Sequence, residues 1–481
     1  MAFFKQFEWK AIAPENFFLV IALTYGIAIM LLTPPYQVPD EIHHFYRAYQ
    51  VSERHFKPIQ KDQRLGGEIP VAITNSTVDM LKVRWSAVRQ TSYTEIDDDF
   101  NIPLLPDEKD FVDFPNTALY SPISYIPQAF AIAVLRKLNL PLLYIFYGAR
   151  LFTFLVWVIG IFYVLKMLPL FKWLFALLAL LPMSLYINSS LSADSVTNSL
   201  AFISIAYILK CAFSKNQFTH RNFIILSLLT LLLACAKIVY TPLILLYLII
   251  PLKKFRTKKM FLIYFTAILF ISIISILALS GNVKSSYIPY YSYNEQYRTQ
   301  NIDVYIGSDM TAQLNNVLNN PIGFTHVISC SLTAPFDMYS VGYVGTFGWL
   351  DLTLPVWIVI LAYLVIISTA ILEGSSNKIT VTWLQRSVLI TTMAIIICFL
   401  ILSQYITYEG VGGDHVGLMQ GRYFIPLFPL LFMSFQNSRL NFRKVIIPII
   451  MVFTVLILSF TVLLIYSRYY SEIGLISFLS K

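Results

Sequence analysis

A chain of 481 residues that is 57% hydrophobic and only 13% charged cannot clothe a soluble surface, because ordinary soluble domains carry roughly 25% charged residues. Its mean hydropathy of +0.66 comes from long apolar blocks with charges confined between them, the pattern of helices that each need about 20 apolar residues to cross a bilayer. The net charge of +9 does not indicate a nucleic-acid partner, since the Lys and Arg residues form short clusters beside apolar blocks, as membrane topology requires.

The first block covers 17–33 and stops at Pro34-Pro35. No small-residue cleavage site follows it, so it reads as a retained helix and not as a signal peptide. A polar stretch rich in Asp, Glu, Lys and Pro runs over roughly 36–116. A moderately apolar segment, 119–135, then opens on Ser121-Pro122 and closes on Arg136-Lys137. Strong apolar blocks follow at 144–165, 173–187, 194–213, 223–235, 238–252 and 260–280. A second polar stretch occupies 281–351, and the last blocks are 354–372, 387–407, 421–436 and 445–466. Blocks this long and uniformly apolar exclude barrel strands. Cys211, Cys235, Cys330 and Cys398 are scattered without a CxxC pair, which predicts no disulfide framework.

Charge sets the expected topology. If 119–135 spans, Lys166 and Arg221 fall outside. If it lies at the outer interface, the clusters at Lys166/Lys172, Lys210/Lys215/Arg221, 253–259, Lys378/Arg386 and Arg439/Arg443/Lys444 all fall inside, together with Lys5 and Lys10. The expectation is an all-α polytopic membrane protein with about 11 transmembrane helices, its N-terminus cytoplasmic and its C-terminus outside. Residues 1–280 then form a transmembrane core of helices 1–7, including a long first extracytoplasmic loop, 34–143, with interfacial helices. Residues 281–353 form a second extracytoplasmic loop, and 354–481 the C-terminal helices 8–11.

Five polar groups fall on the outer side of this topology, and membrane physics alone does not account for them. Pro39-Asp40-Glu41-Ile42-His43-His44-Phe45-Tyr46-Arg47 puts two acids, two histidines and an arginine just beyond the first helix. On a helix, Asp40, His44 and Arg47 share one face. The group reads as a capped interfacial helix, as a metal site of Asp40, Glu41, His43 and His44, or as a carboxylate base beside an anion-binding His and Arg. Asp194, in Ser192-Ala193-Asp194, is either an N-cap or a second interfacial carboxylate. Lys237, with Tyr240 three residues on, is either a snorkelling cation or a functional one. A glycine-rich run holding His415 leads into Gln420-Gly421-Arg422-Tyr423, whose arginine suits a bidentate grip on phosphate or contact with a lipid headgroup. Gly348-Trp349-Leu350-Asp351 is the weakest signal, because Trp is expected at an interface anyway.

The acidic pair after the first helix, with Tyr120-Ser121-Pro122 downstream and Asp194 in a later outer loop, resembles the GT-C glycosyltransferase superfamily. That group includes protein mannosyltransferases, aminoarabinose transferases and oligosaccharyltransferase. Most of the chain also resembles a large family of uncharacterised predicted bacterial membrane proteins. The matching motifs are Pro39-Asp40-Glu41 with His44 and Arg47, Tyr120-Ser121-Pro122, Ser192-Ala193-Asp194, Lys237 with Tyr240, Gly348-Trp349-Leu350-Asp351 and Gln420-Gly421-Arg422-Tyr423-Phe424-Ile425-Pro426. The resemblance implies a transferase in the bacterial cytoplasmic membrane. Such an enzyme takes a sugar from a polyprenyl-phosphate donor, with inversion, and passes it on the outer face to an envelope glycan or lipid acceptor.

Carried onto this chain, the resemblance makes Asp40 the general base, with Glu41 as helper or alternative. Asp194 would orient the acceptor or a divalent metal such as Mg or Mn. Arg422, Lys237, His44, Arg47 and Tyr240 would surround the donor phosphate, where negative charge grows as the leaving group departs. Tyr120, Trp349, Asp351, His415 and Gln420 would contact sugar or acceptor, with Tyr287 and Tyr290 as further stacking surfaces. The short second outer stretch carries no large soluble domain, so the acceptor is left open. Two other functions compete. One is a transporter or flippase for an anionic or lipid-linked envelope precursor, against which stand interfacial rather than midplane charges and the absence of a repeat. The other is a non-catalytic envelope-assembly subunit.

Overall fold

The computed structural model describes residues 12–470 except 87–88, 299–303, 334, 374–378, 418, 438 and 441. The expectations placed on Lys5, Lys10, Lys378 and the C-terminal end at 471–481 lie outside the described residues. Within them the chain is a helical, multi-pass membrane protein.

Helix α1 (Pro14–Leu32) opens on proline, which suits a first turn where the missing N–H has no partner to lose. It ends ahead of Pro34-Pro35, whose rings bar further helix. The segment beyond it holds α2 (Glu41–Ser52) and a small antiparallel sheet, β1 (Ile59–Lys61), β2 (Arg64–Pro70) and β3 (Lys109–Asp113), in the order β1-β2-β3. β2 and β3 pair from Gly66↔Asp113 to Pro70↔Lys109. The sheet corrects the all-α expectation for this loop. Its strands are short and charge-rich, so no alternating apolar pattern announces them.

Helix α3 (Ile126–Lys137) covers the segment in dispute. It has 12 residues, about 18 Å of helix against a hydrocarbon core of about 30 Å, and a 3₁₀ turn, Pro122–Tyr125, leads into it. It exposes Ile126, Phe130 and Val134 along one stripe while burying Gln128, Ala129 and Ile132. An apolar stripe turned outward on a short helix suits a place along the membrane face.

Six helices among the described residues are long and apolar enough to cross a bilayer. They are α1, α4 (Leu142–Met167), α5 (Asp194–Phe213), α7 (Lys258–Ser286), α9 (Trp383–Tyr408) and α10 (Arg443–Tyr470). Helices α6 (His220–Ala236) and α8 (Val356–Leu372) are apolar but shorter, 17 residues each. Three expected blocks are not continuous α-helices. Block 173–187 breaks into Lys172–Ala179 and Pro182–Asn188. Block 238–252 winds as a 3₁₀-helix, Ile238–Ile249, around Pro242. Block 421–436 becomes a 3₁₀ turn, Gly421–Phe424, and a short helix, Phe428–Met433. Proline explains each break, since it removes a helical N–H and clashes one turn back. The second stretch has helical structure of its own. It folds as helices Met310–Asn319, Pro321–Thr333 and Phe336–Gly345, with Asp337 as the only Asp, Glu, Lys or Arg in 310–345.

Two apolar cores result. One fills the helical body around Phe18, Trp157, Trp173, Phe175 and Tyr247, and the other joins the first loop to α4 through Tyr36, Phe45, Phe100, Phe114 and Phe146. Ile159, Phe270, Leu277, Trp357, Ile360 and Leu364 face outward, as lipid-facing positions do.

A candidate acid–cation site at the head of an apolar cavity

The turn after α1 delivers Asp40 in an unusual backbone state, φ 63° and ψ 5°. Left-handed backbone costs a non-glycine residue roughly 1–2 kcal/mol, though Asp tolerates it better than most. Asp40 occupies the N-cap of α2 but makes no side-chain cap. A capping Asp would be worth about 1 kcal/mol to the helix, and that interaction is forgone. The carboxylate instead accepts from Arg422 Nη2 at 2.9 Å, with Asn116 Nδ2 3.5 Å from its other oxygen.

Arg422 reaches this point because its turn lies directly on helix Phe336–Gly345. A Cβ on Gly421 would stand 2.4 Å from Gly342 C and from Tyr343 N, so only glycine permits the approach. Arg422 also donates to the Pro39 carbonyl at 3.4 Å, and its Nε lies 3.8 Å from Asp194. Asp194 is the first residue of α5, where the positive end of the helix dipole favours a carboxylate. Its other partner is Lys237 at 3.1 Å. Lys237 stands at the C-cap of α6, just before the 3₁₀ segment, with its ammonium 4.5 Å from the Tyr423 ring centroid. Four charges far apart in sequence thus form one chain: Asp40, Arg422, Asp194, Lys237.

These side chains line one polar cavity of 70 Å³, together with His44, Tyr120, Gln420, Asn116, Gln404 and Tyr408. A second cavity of 360 Å³ shares Asn116, Tyr120, Lys237, Tyr305, Gln404 and Tyr408 with it. Its walls are largely apolar, from Ala234, Cys235 and Ala236 of α6, Ile238 and Val239, Leu279 and Val283 of α7, and Leu400 of α9. A charged head and an apolar body are therefore contiguous.

Other residues singled out from sequence lie elsewhere or act differently. His44 lines the polar cavity but is not a cation. Burial lowers its pKa to about 4, against the opposing pull of Asp40 and Asp194, and its Nδ1 is 2.8 Å from the Tyr125 hydroxyl. Glu41 is fully buried and saturated. Arg150 grips it twice (2.8 and 2.5 Å), and the N–H groups of Tyr36 and Leu191 take up its remaining lone pairs. Both carboxylate oxygens are thus occupied within the core, and Glu41 anchors the turn after α1 to Arg150. Arg47 turns away to Gln50, the Phe56 carbonyl (2.7 Å) and the Tyr120 carbonyl (3.1 Å), and stands at the wall of the larger cavity. Tyr240 lines neither cavity. Its hydroxyl donates to the Tyr423 carbonyl at 2.9 Å and so braces the Arg422 turn.

The remaining aromatic and polar candidates divide in the same way. Tyr120 borders both cavities, and burial pushes its hydroxyl up to about 12. Tyr287 lines the larger cavity, and Tyr290 lines neither. Trp349 donates to the Tyr36 carbonyl (2.8 Å), and Asp351 pairs with Arg468 (2.7 Å). Both belong to a latch around the two-stranded pair Thr346–Phe347 and Leu352–Thr353, away from the cavity. His415 is exposed beside Asp414 at 2.6 Å. The sequence reading omits Arg150, Asn116, Gln404 and Tyr408. A lone arginine inside an apolar block, and Gln404 with Tyr408 one turn apart on α9, are the signals that could have found them.

A divalent metal does not fit this donor set. Asp40 and Asp194 already bracket the Arg422 guanidinium, and Lys237 holds Asp194 as well. Among the described residues no group of three or more His, Cys, Asp or Glu could hold a metal ion. The positive charge that a metal would bring is built into the chain.

Residues 23–431 match the family described as "Predicted membrane protein (DUF2142)", and the chain belongs to that family. No curated protein and no solved structure matches it.

Proposed function

We propose that this membrane protein is a glycosyltransferase of the GT-C kind, moving a sugar from a polyprenyl-phosphate donor to an envelope glycan or lipid on the outer face of the bacterial cytoplasmic membrane. One observation carries the reading: two carboxylates and two cations converge in a polar cavity that is contiguous with a larger, mostly apolar one. A lipid-phosphate sugar has that same division, an apolar tail joined to an anionic head.

Asp40 is the residue for proton transfer, because it is the more accessible carboxylate, 30% exposed against 14% for Asp194. In the proposed step the acceptor hydroxyl oxygen attacks the anomeric carbon, its proton passes to Asp40, and the bond from that carbon to the phosphate oxygen breaks. The electron pair leaves with the phosphate, whose growing charge Arg422 and Lys237 offset. A single displacement inverts the anomeric centre. Asp194 holds Lys237 and Arg422 in place, and Tyr120, Gln404, Tyr408 and Gln420 supply hydrogen-bonding and stacking surface for a sugar.

The test is transfer itself. Membranes containing the expressed protein, given a labelled polyprenyl-phosphate hexose and envelope extract, should form a labelled product. Asp40→Asn should lower the rate by about 10²–10⁴-fold, the ordinary worth of a general base, with the protein still folded. Undiminished transfer by Asp40→Asn would remove the base assignment. Movement of an anionic precursor across sealed vesicles with no covalent product would replace the enzyme reading with transport.

A further inference from the structure

The charge chain is closed on itself. Asp40 is bonded to Arg422 and Asp194 to Lys237, so the two acids and two cations cancel. The group placed to take a proton and a group placed to receive a phosphate therefore occupy each other. The two ends of this pair are not equivalent. Arg422 is 3% exposed and fixed from behind by the Pro39 carbonyl and Asp194. Asp40 meets the cavity with a half-open carboxylate. One further atom in the wall is unspent: Gln420 Oε1 is buried without a hydrogen-bond partner.

We propose that Arg422 masks Asp40 in the substrate-free protein, and that the phosphate of the donor lipid unmasks it by taking over the guanidinium. Donor then binds before acceptor, and the donor itself switches the base on. This rests on the glycosyltransferase reading of the same cavity. The non-bridging oxygens of a phosphate match the guanidinium fork, and charge-assisted pairs of this kind are the strong ones. Asp40 holds Arg422 through one oxygen only, a weaker grip than a two-point phosphate contact. Once phosphate holds the guanidinium, the Asp40 oxygen that accepted from Arg422 is free to accept the proton of the acceptor hydroxyl.

The experiment measures binding of polyprenyl phosphate, without a sugar, to detergent-solubilised full-length protein. Wild type, Asp40→Asn, Arg422→Gln and the double variant are compared, each checked for monodispersity. Asp40→Asn should bind roughly tenfold more tightly than wild type, the gain of about 1.4 kcal/mol expected when a competing carboxylate is removed. The gain should vanish in the Arg422→Gln background. Arg422→Lys, which keeps the charge but not the fork, provides the same comparison should Arg422→Gln fail to fold. No gain in Asp40→Asn, or a gain that survives loss of the guanidinium, would overturn the masking mechanism while leaving a lipid-phosphate site standing. If neither wild type nor Asp40→Asn binds polyprenyl phosphate, the donor reading falls as well.

Discussion

Glu41→Gln separates two roles that adjacent acidic residues could share. Glu41 and Arg150 are 0% and 1% exposed in their side chains. Each oxygen of Glu41 accepts from two N–H groups: Oε1 from Arg150 and Leu191, Oε2 from Arg150 and Tyr36. In glutamine one oxygen becomes an NH₂ that faces two donors, whichever way the amide is turned. Breaking a buried ion pair from one side costs about 3–5 kcal/mol. Arg150 keeps its bonds to the Met30, Thr33 and Pro34 carbonyls, so the expected loss lies near the lower end, about 3 kcal/mol. Unfolding of the purified protein in detergent by denaturant titration reads this directly. Replacing both partners, Glu41→Met with Arg150→Met, should recover much of the loss, because no charge is then stranded in the core. Sugar transfer per folded molecule should survive in Glu41→Gln. A Glu41→Gln protein as stable as wild type but devoid of transfer would refute the reasoning and make Glu41 the proton acceptor.

Two further outcomes follow from the cavity. His44 has its folded pKa lowered to about 4, below the unfolded value of about 6.5, so the unfolded chain takes up the proton first. Stability should fall as pH drops from about 6.5 to 4 by about 3 kcal/mol and level off below, and His44→Asn should show that much less pH dependence in parallel unfolding curves; identical pH profiles would contradict a buried neutral imidazole. Cys235→Trp should fill part of the 360 Å³ cavity and raise the KM for a long-chain lipid donor at least tenfold while leaving a donor with a truncated chain little affected. Equal effects on both donors would show that the tail lies elsewhere.

Much of the fold was legible because apolar runs leave a bilayer few options. Leu142–Met167, Asp194–Phe213 and Arg443–Tyr470 fall on their sequence blocks within a few residues. Charge placement also set 119–135 apart from the spanning blocks, and the α-helix there, α3, has only 12 residues. The breaks were less legible. Pro182, Pro242 and Pro426 were visible, but whether a proline kinks a helix or divides it depends on neighbours that can satisfy the freed carbonyls. The β1-β2-β3 sheet was missed because its stabilising contacts lie between strands and not along them.

The sequence by itself determined the membrane setting and the placing of most helices, and it singled out Asp40, Asp194, Lys237 and Arg422 while leaving capping, snorkelling and headgroup contact open for them. It could not sort Asp40 from Glu41. Adjacent residues on a helix start point in different directions, and only packing decides which of them meets a cavity and which meets Arg150. Nor could it tell that His44 stays neutral, since that depends on burial beside Tyr125. Trp349 and Asp351 show the same limit in reverse, two conspicuous polar residues that close a latch outside the site. Residue type is local, and it proposes which groups carry chemistry. Desolvation and pairing are set by residues hundreds of positions away, as Arg422 is from Asp40, and only the tertiary structure brings them together.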